Sequence, residues 1–176
     1  MNNFEKSPII VLMQNYGKDE VNYMKISDFL DENRIILDLR AKTKEELLNE
    51  MGETFKKTGV VDDSGYARFI EKLNNREETC STGFQDGVAI PHMKARAVKK
   101  ISLAFGISKE GIDFDALDKK PSKIFIMIAA PKENPNEYLN LLAKVSEIFL
   151  DENNIKKAME VKTKEELYEI LNKYEA

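Results

Sequence analysis

Between Arg76 and His92 the chain reads REETCSTGFQDGVAIPH, and this stretch holds the residues best equipped for chemistry. His92 is the single histidine among 176 residues, and the single cysteine, Cys80, lies in the same stretch. A neutral imidazole can attack phosphorus near pH 7, because its unperturbed pKa of about 6.5 leaves a free nitrogen lone pair there. A transferred phosphoryl group then needs fixed positive charge and donors around its oxygens. Arg76 offers an always-charged planar fork suited to that task. Ser81, Thr82 and the amides around Gly83 could add donors, as backbone nests do around anions.

Blander readings compete with this one. A lone histidine is commonly a surface or satisfied core residue, and a lone arginine a solvated charge. The Gly83–Gly87 loop lacks the Gly-Lys-Ser/Thr ending of a P-loop. A zinc site needs several Cys or His ligands, and the chain has one of each. Cys80 could act as a nucleophile with His92 as its base, but a small, partly buried thiol is the plainer expectation. Glu77 and Glu78, read on an extended chain, point opposite ways and make no acid–base dyad.

Composition narrows the field further. The 27 basic and 31 acidic side chains leave a formal net charge of −4, which argues against nucleic acid as partner. One cysteine forms no internal disulfide, so a reducing compartment fits. No apolar run approaches the roughly 20 residues that span a bilayer. The longest early run, Ile9–Met13, is short for a signal-peptide core, so a cytoplasmic protein without direct membrane insertion is expected.

The elements that must hold the site are readable around it. Residues 1–23 are expected to be an extension of unclear role, and residues 24–176 a single domain. Ile26–Leu30 suggests a short helical turn and Ile35–Leu39 a strand. Thr43-Lys-Glu-Glu46 is a capping box, in which Thr43 and Glu46 reciprocally satisfy free backbone N–H groups. Leu47, Leu48, Met51 and Phe55 follow as one helical stripe, closed by Lys56, Lys57 and Gly59. Asp62, Asp63 or Ser64 caps a second helix with Tyr66, Phe69, Ile70 and Leu73 inward. Asn74-Asn75 is expected to end it, leaving Arg76 just beyond the terminus.

Val88-Ala89-Ile90 is a short apolar run, and Pro91 biases Ile90 toward extended backbone, so His92 should sit at the tip of a strand. The basic segment Lys94, Arg96, Lys99, Lys100 reads as exposed, able to help draw an anionic phosphodonor. Residues 101–107 alternate large and small side chains as a strand does, and 111–118 read as a loop. The wholly apolar 124–130 suits a central strand. Asn136 should cap a helix carrying Leu139, Leu142, Ala143, Ser146 and Phe149 inward. KTKEEL, first seen at 42–47, recurs at 162–167 and opens a last helix with Leu167, Ile170 and Leu171. Alternating strands and helices give an α/β class: a single-domain mixed β-sheet flanked by helices on both faces.

Taken together, Arg76-Glu77, Ser81-Thr82-Gly83 and Gly87-Val-Ala-Ile-Pro-His92 resemble the signature of the fructose/mannitol-type enzyme IIA of the bacterial phosphoenolpyruvate-dependent sugar phosphotransferase system. That family includes nitrogen-regulatory IIA-like proteins. The resemblance continues through Gly111-Ile-Asp-Phe114, 124–131 and Tyr138-Leu-Asn-Leu-Leu-Ala143, covering about residues 24–175. It implies a phosphotransferase in which His92 accepts a phosphoryl group from the carrier HPr and passes it to an enzyme IIB partner. Arg76 would neutralise the phosphoryl oxygens and Thr82 would donate a hydrogen bond, with no metal or cofactor. Tyr138 stands where many members carry a second histidine; its phenol can donate to a phosphoryl oxygen but does not titrate near pH 7.

Three readings remain open from the sequence: a sugar-uptake phosphocarrier, a regulator whose His92 phosphorylation controls binding to target proteins, and an interaction domain with an inert histidine. A homodimer is also left open.

Overall fold

The computed structural model describes residues 24–133 and 135–172; the expected extension over 1–23 lies outside them. A 3-10 turn at Ile26–Asp28 leads into β1, Leu30–Ile36. Helices α1, Lys44–Lys57, and α2, Asp63–Thr79, follow. Four strands come next: β2, Val88–Ala89; β3, His92–Lys94; β4, Ser102–Ile112; and β5, Ser122–Ala130. The chain then runs through α3, Pro135–Ile148, α4, Glu152–Glu160, and α5, Lys164–Asn172.

The sheet is mixed, as expected. β4 lies between β1, to which it is parallel, and β5, to which it is antiparallel. On the far side of β5, β2 and β3 lie one after the other along the same edge, both parallel to it. Successive residues of β5 serve opposite faces. Ile124, Ile126 and Ile128 pack into one apolar cluster with Leu141, Leu142 and Val145 of α3, Ala158 of α4 and Leu167 of α5. Phe125, Met127 and Ala129 pack into the other, with Leu47, Met51 and Phe55 of α1 and Phe69 and Leu73 of α2. Helices thus cover both faces, which is why β5 carries no polar face.

The α1 capping box forms as read: Thr43 Oγ1 accepts from the Glu46 amide, and Glu46 Oε2 accepts from the Thr43 amide. Several boundaries differ from the sequence reading. The first strand starts five residues earlier than Ile35, although Leu39 still donates its amide to Ile107 O at 2.8 Å. β4 runs through Gly111 and Ile112, and α4 replaces what carried no assignment.

The main correction concerns α2, which continues through Asn74-Asn75 to Thr79. Asparagine often ends helices by competing for backbone groups. Here Asn74 Nδ2 instead donates back to Ile70 O at 2.9 Å, and Phe69, Leu73 and Glu77 extend one buried face at i, i+4 spacing. Arg76 therefore sits within the last turn of α2, and Glu77 and Glu78 are helical rather than extended.

Candidate functional site

His92 opens β3, with Ile90 and Pro91 separating it from β2. Val88 and Ile90 face the α3 side, while Ala89 and Met93 face the α1–α2 side. By that alternation the His92 ring is presented toward α3, and Tyr138 of α3 meets it at 6.1 Å between ring centroids. Because β3 is an edge strand, the end of α2 can reach the ring from beyond the sheet. Arg76 Nη2 lies 3.4 Å from His92 Nε2.

Chemistry fixes the ring's tautomer. His92 Nδ1 is 2.7 Å from Ile90 O, and a carbonyl can only accept, so Nδ1 carries the proton. Nε2 then offers its lone pair toward Arg76. Burial pushes the His92 pKa down to about 4, and the neighbouring Arg76 charge lowers it too, against the opposing pull of the Ile90 hydrogen bond. At neutral pH the ring is an uncharged nucleophile.

Arg76 is itself held. Its Nη1 donates to Cys80 O at 2.6 Å, closing the α2 terminus, where a cation also meets the negative end of the helix dipole. Nη2 is the nitrogen that faces Nε2. Tyr138 is buried, and burial pushes its phenol pKa up to about 12 despite the opposing Arg76 charge, so its O–H remains a donor at neutral pH. Lys94 Nζ stands 5.2 Å over the Tyr138 ring.

The other expected donors are engaged within the protein. Thr82, 4% exposed, donates its amide to Glu77 Oε1 at 2.7 Å and its hydroxyl to Glu77 Oε2 at 2.6 Å. A hydroxyl has one hydrogen, so Thr82 has none left for a phosphoryl oxygen in this state. Ser81 Oγ donates to Phe114 O and accepts from the Gly83 amide at 3.0 Å. Gly83 is needed for space: a Cβ there would lie 2.8 Å from the Ala116 Cα. Cys80 is exposed, not partly buried, with Sγ toward Ser81 O.

These contacts join into one brace that the sequence reading missed. Glu77, 2% exposed, holds Thr82; Thr82 O accepts from the Ile90 amide at 3.1 Å; and Ile90 O accepts from His92 Nδ1. Lys44 Nζ, 3.9 Å from Glu77 Oε1, is the nearby cation. The signal for Glu77 was available in the i, i+4 relation to Leu73, once α2 is known to continue.

The chain resembles known proteins over most of its length. Residues 28–174 match the family described as phosphoenolpyruvate-dependent sugar phosphotransferase system, EIIA 2. The chain is 34% identical over 152 residues to the fructose-specific EIIABC component of Bacillus subtilis; that match covers 86% of this chain but only 24% of the Bacillus protein. It is 36% identical to the fructose-specific EIIA component of Haloferax volcanii, over 73% of this chain and 82% of that one. Among solved structures, nitrogen regulatory protein IIA-Ntr from Neisseria meningitidis superposes with a TM-score of 0.77 at 32% identity, covering 83% of this chain and 98% of that one. The complex of enzyme IIA-Mtl and phosphorylated enzyme IIB-Mtl from Escherichia coli contains a match with a TM-score of 0.70 at 25% identity, covering 81% of this chain and 96% of that one. The chain belongs to the EIIA 2 family of the phosphoenolpyruvate-dependent sugar phosphotransferase system.

Proposed function

We propose that the protein is a phosphohistidine carrier: His92 Nε2 accepts a phosphoryl group from the phosphohistidine of HPr and passes it to an enzyme IIB of a sugar transporter. The observation that carries this is the pairing at Nε2. One ring nitrogen is fixed as the N–H by Ile90 O, and the other holds its lone pair 3.4 Å from a guanidinium nitrogen. In the transfer, the Nε2 lone pair forms the new N–P bond. The N–P bond of the donor breaks, and its electron pair returns to the donor's ring nitrogen. The ring then carries positive charge with Nδ1–H still bonded to Ile90 O, and Arg76 neutralises the phosphoryl oxygens.

Tyr138 is assigned the second donor, in place of the second histidine of many members. Thr82, Ser81 and Gly83 are assigned to hold the loop that supports His92, with any Thr82 contact to phosphate requiring its hydroxyl to leave Glu77. No metal or cofactor takes part in this step, and the work is placed in the cytoplasm, where HPr would meet it. Among the described residues, no helix is long and apolar enough to cross a membrane.

Incubation with phosphoenolpyruvate, enzyme I and HPr should add one phosphoryl group, read by mass spectrometry and absent in His92→Ala. An unmodified wild-type chain would leave the inert-histidine reading. The likeness to the Neisseria nitrogen regulatory protein supports a second reading, a regulator whose phosphorylation state controls binding to a target. Onward transfer to a IIB protein separates the two: a carrier gives up its phosphate, whereas a regulator retains it.

A further inference from the structure

Next to His92, and separate from it, lies a hollow of about 570 Å³. It is bounded by the first half of α2, the segment Ala95–Ala97 after β3, and Lys132 after β5. Arg68, Lys72, Arg96 and Lys132 line it, and among the described residues none of the four has an ion pair. Asp62, the one acid in the lining, is paired with Lys99 at 2.5 Å, and Asp63 with Lys56 at 3.7 Å. Four uncompensated cations around one concavity are unexpected in a chain of net charge −4.

The walls are fixed to one another. Asp62 donates its amide to Ala97 O at 3.4 Å, Lys99 donates to Val60 O at 2.9 Å, and Ala95 donates to Ala130 O at 2.9 Å. A Cβ on Gly65 would meet the Ala97 Cβ at 2.5 Å, so α2 packs there as closely as glycine allows. Phe69, Ala95 and Ala97 add apolar surface to the lining. A pre-formed hollow of this size, partly apolar and with convergent polar groups, has the character of a small-molecule site rather than a flat docking face.

We propose that this hollow binds a small organic dianionic-group ligand of the size of a hexose bisphosphate. Two phosphomonoesters carry about −3 to −4 near pH 7, which matches the four cations, and Arg68 and Arg96 can each grip one bidentately. Ser64, also in the lining, is suited to a sugar hydroxyl. Lys72 lies one helical turn before Arg76, and Arg96 four residues after His92, so the occupant's charge borders the phosphoryl site. Its effect on partner access there rests on the phosphocarrier reading; binding itself does not.

The test is an NMR titration of the full chain at about 0.15 M salt with glucose 1,6-bisphosphate, and with glucose, sulfate and a hexaglutamate peptide in parallel. Saturable shifts at the Gly65, Ala95, Ala97 and Lys132 amides, with half-saturation below about 1 mM, are expected only for the bisphosphate. Arg68→Gln with Lys72→Gln, the first exposed and the second half-buried, should weaken it at least about tenfold, while Arg76→Ala leaves it within about twofold. The proposal is overturned by no saturation up to about 10 mM, by equal binding of glucose or sulfate, or by tighter binding of hexaglutamate, which would mark an acidic-protein surface. Shifts centred on His92 and abolished by Arg76→Ala would equally overturn it, by placing the anion in the phosphoryl site. Because the readout needs no HPr, it stands or falls independently of phosphoryl transfer.

Discussion

Replacing Arg76 by alanine should slow phosphoryl transfer to His92 by roughly 10²–10³-fold, the loss typical when one pre-organised donor is removed from a developing anion. The structure supports a value in that range. Nη2 lies 3.4 Å from Nε2, so the guanidinium stands beside the atom that bonds phosphorus and, moved aside to admit the group, can donate to its oxygens. A unit charge pair at about 4 Å is worth about 4 kcal/mol at an effective dielectric near 20. Part of that attraction already acts on the anionic donor before transfer, leaving about 3 kcal/mol for the reaction step. Because Nη1 is tied to Cys80 O, little of the benefit is lost in ordering the side chain. The assay is rapid-quench transfer of labelled phosphate from phospho-HPr, with circular dichroism to check the fold. Losing the Cys80 contact costs about 1 kcal/mol of stability, too little to unfold the domain. Arg76→Lys keeps the charge but not the fork and should fall between the two. An alanine variant within threefold of the parent rate would refute the role given to Arg76.

Two further outcomes follow from the same geometry. The His92 ring should stay neutral as pH falls, titrating near 4 rather than 6.5 by NMR. Its folded-state pKa lies below the unfolded value, so the unfolded chain takes up the proton first; stability is unaffected above about pH 6.5 and declines between there and about 4. A midpoint near 6.5 would show that the ring is not desolvated as described. Glu77→Gln keeps one oxygen to accept from Thr82 but sets an NH2 against the other Thr82 donor and removes the charge from both bonds, so urea unfolding should show a loss of about 1–3 kcal/mol. It should also disturb the His92 Nδ1 proton signal through Thr82 and Ile90; an unaltered signal would separate the brace from the ring.

What was readable in the sequence was local, and what was hidden depended on partners distant in the chain. Thr43 and Glu46 announce their capping box because both partners fall within four residues. Val88-Ala89 announces a strand and Pro91 an extended lead-in, but the three-residue strand that His92 opens is too short to carry a period of its own. Asn74-Asn75 misled because the force that carries α2 past them is the burial of Leu73 and Glu77 against the rest of the fold. With α2 ended too soon, Glu77 reads as one of two carboxylates pointing opposite ways on an extended chain, and Thr82 is left without its true acceptor. α4 escaped notice because its fully buried residues are only Asn154 and Ala158, too small or polar to mark an apolar stripe. Arg76 and His92, by contrast, were paired from their chemistry, and the fold brings them within hydrogen-bonding reach.

Gly65 sits in the first turn of α2 and Arg76 in its last, about 16 Å apart along the axis at 1.5 Å per residue. The helix therefore works as a stiff rod, clamped at the end where Gly65 presses on Ala97 and delivering its guanidinium at the other. A single added methyl group at the clamped end would tilt the rod and shift the charge at its tip. The transfer chemistry proposed at His92 is thus exposed to changes about 16 Å away along the axis of α2.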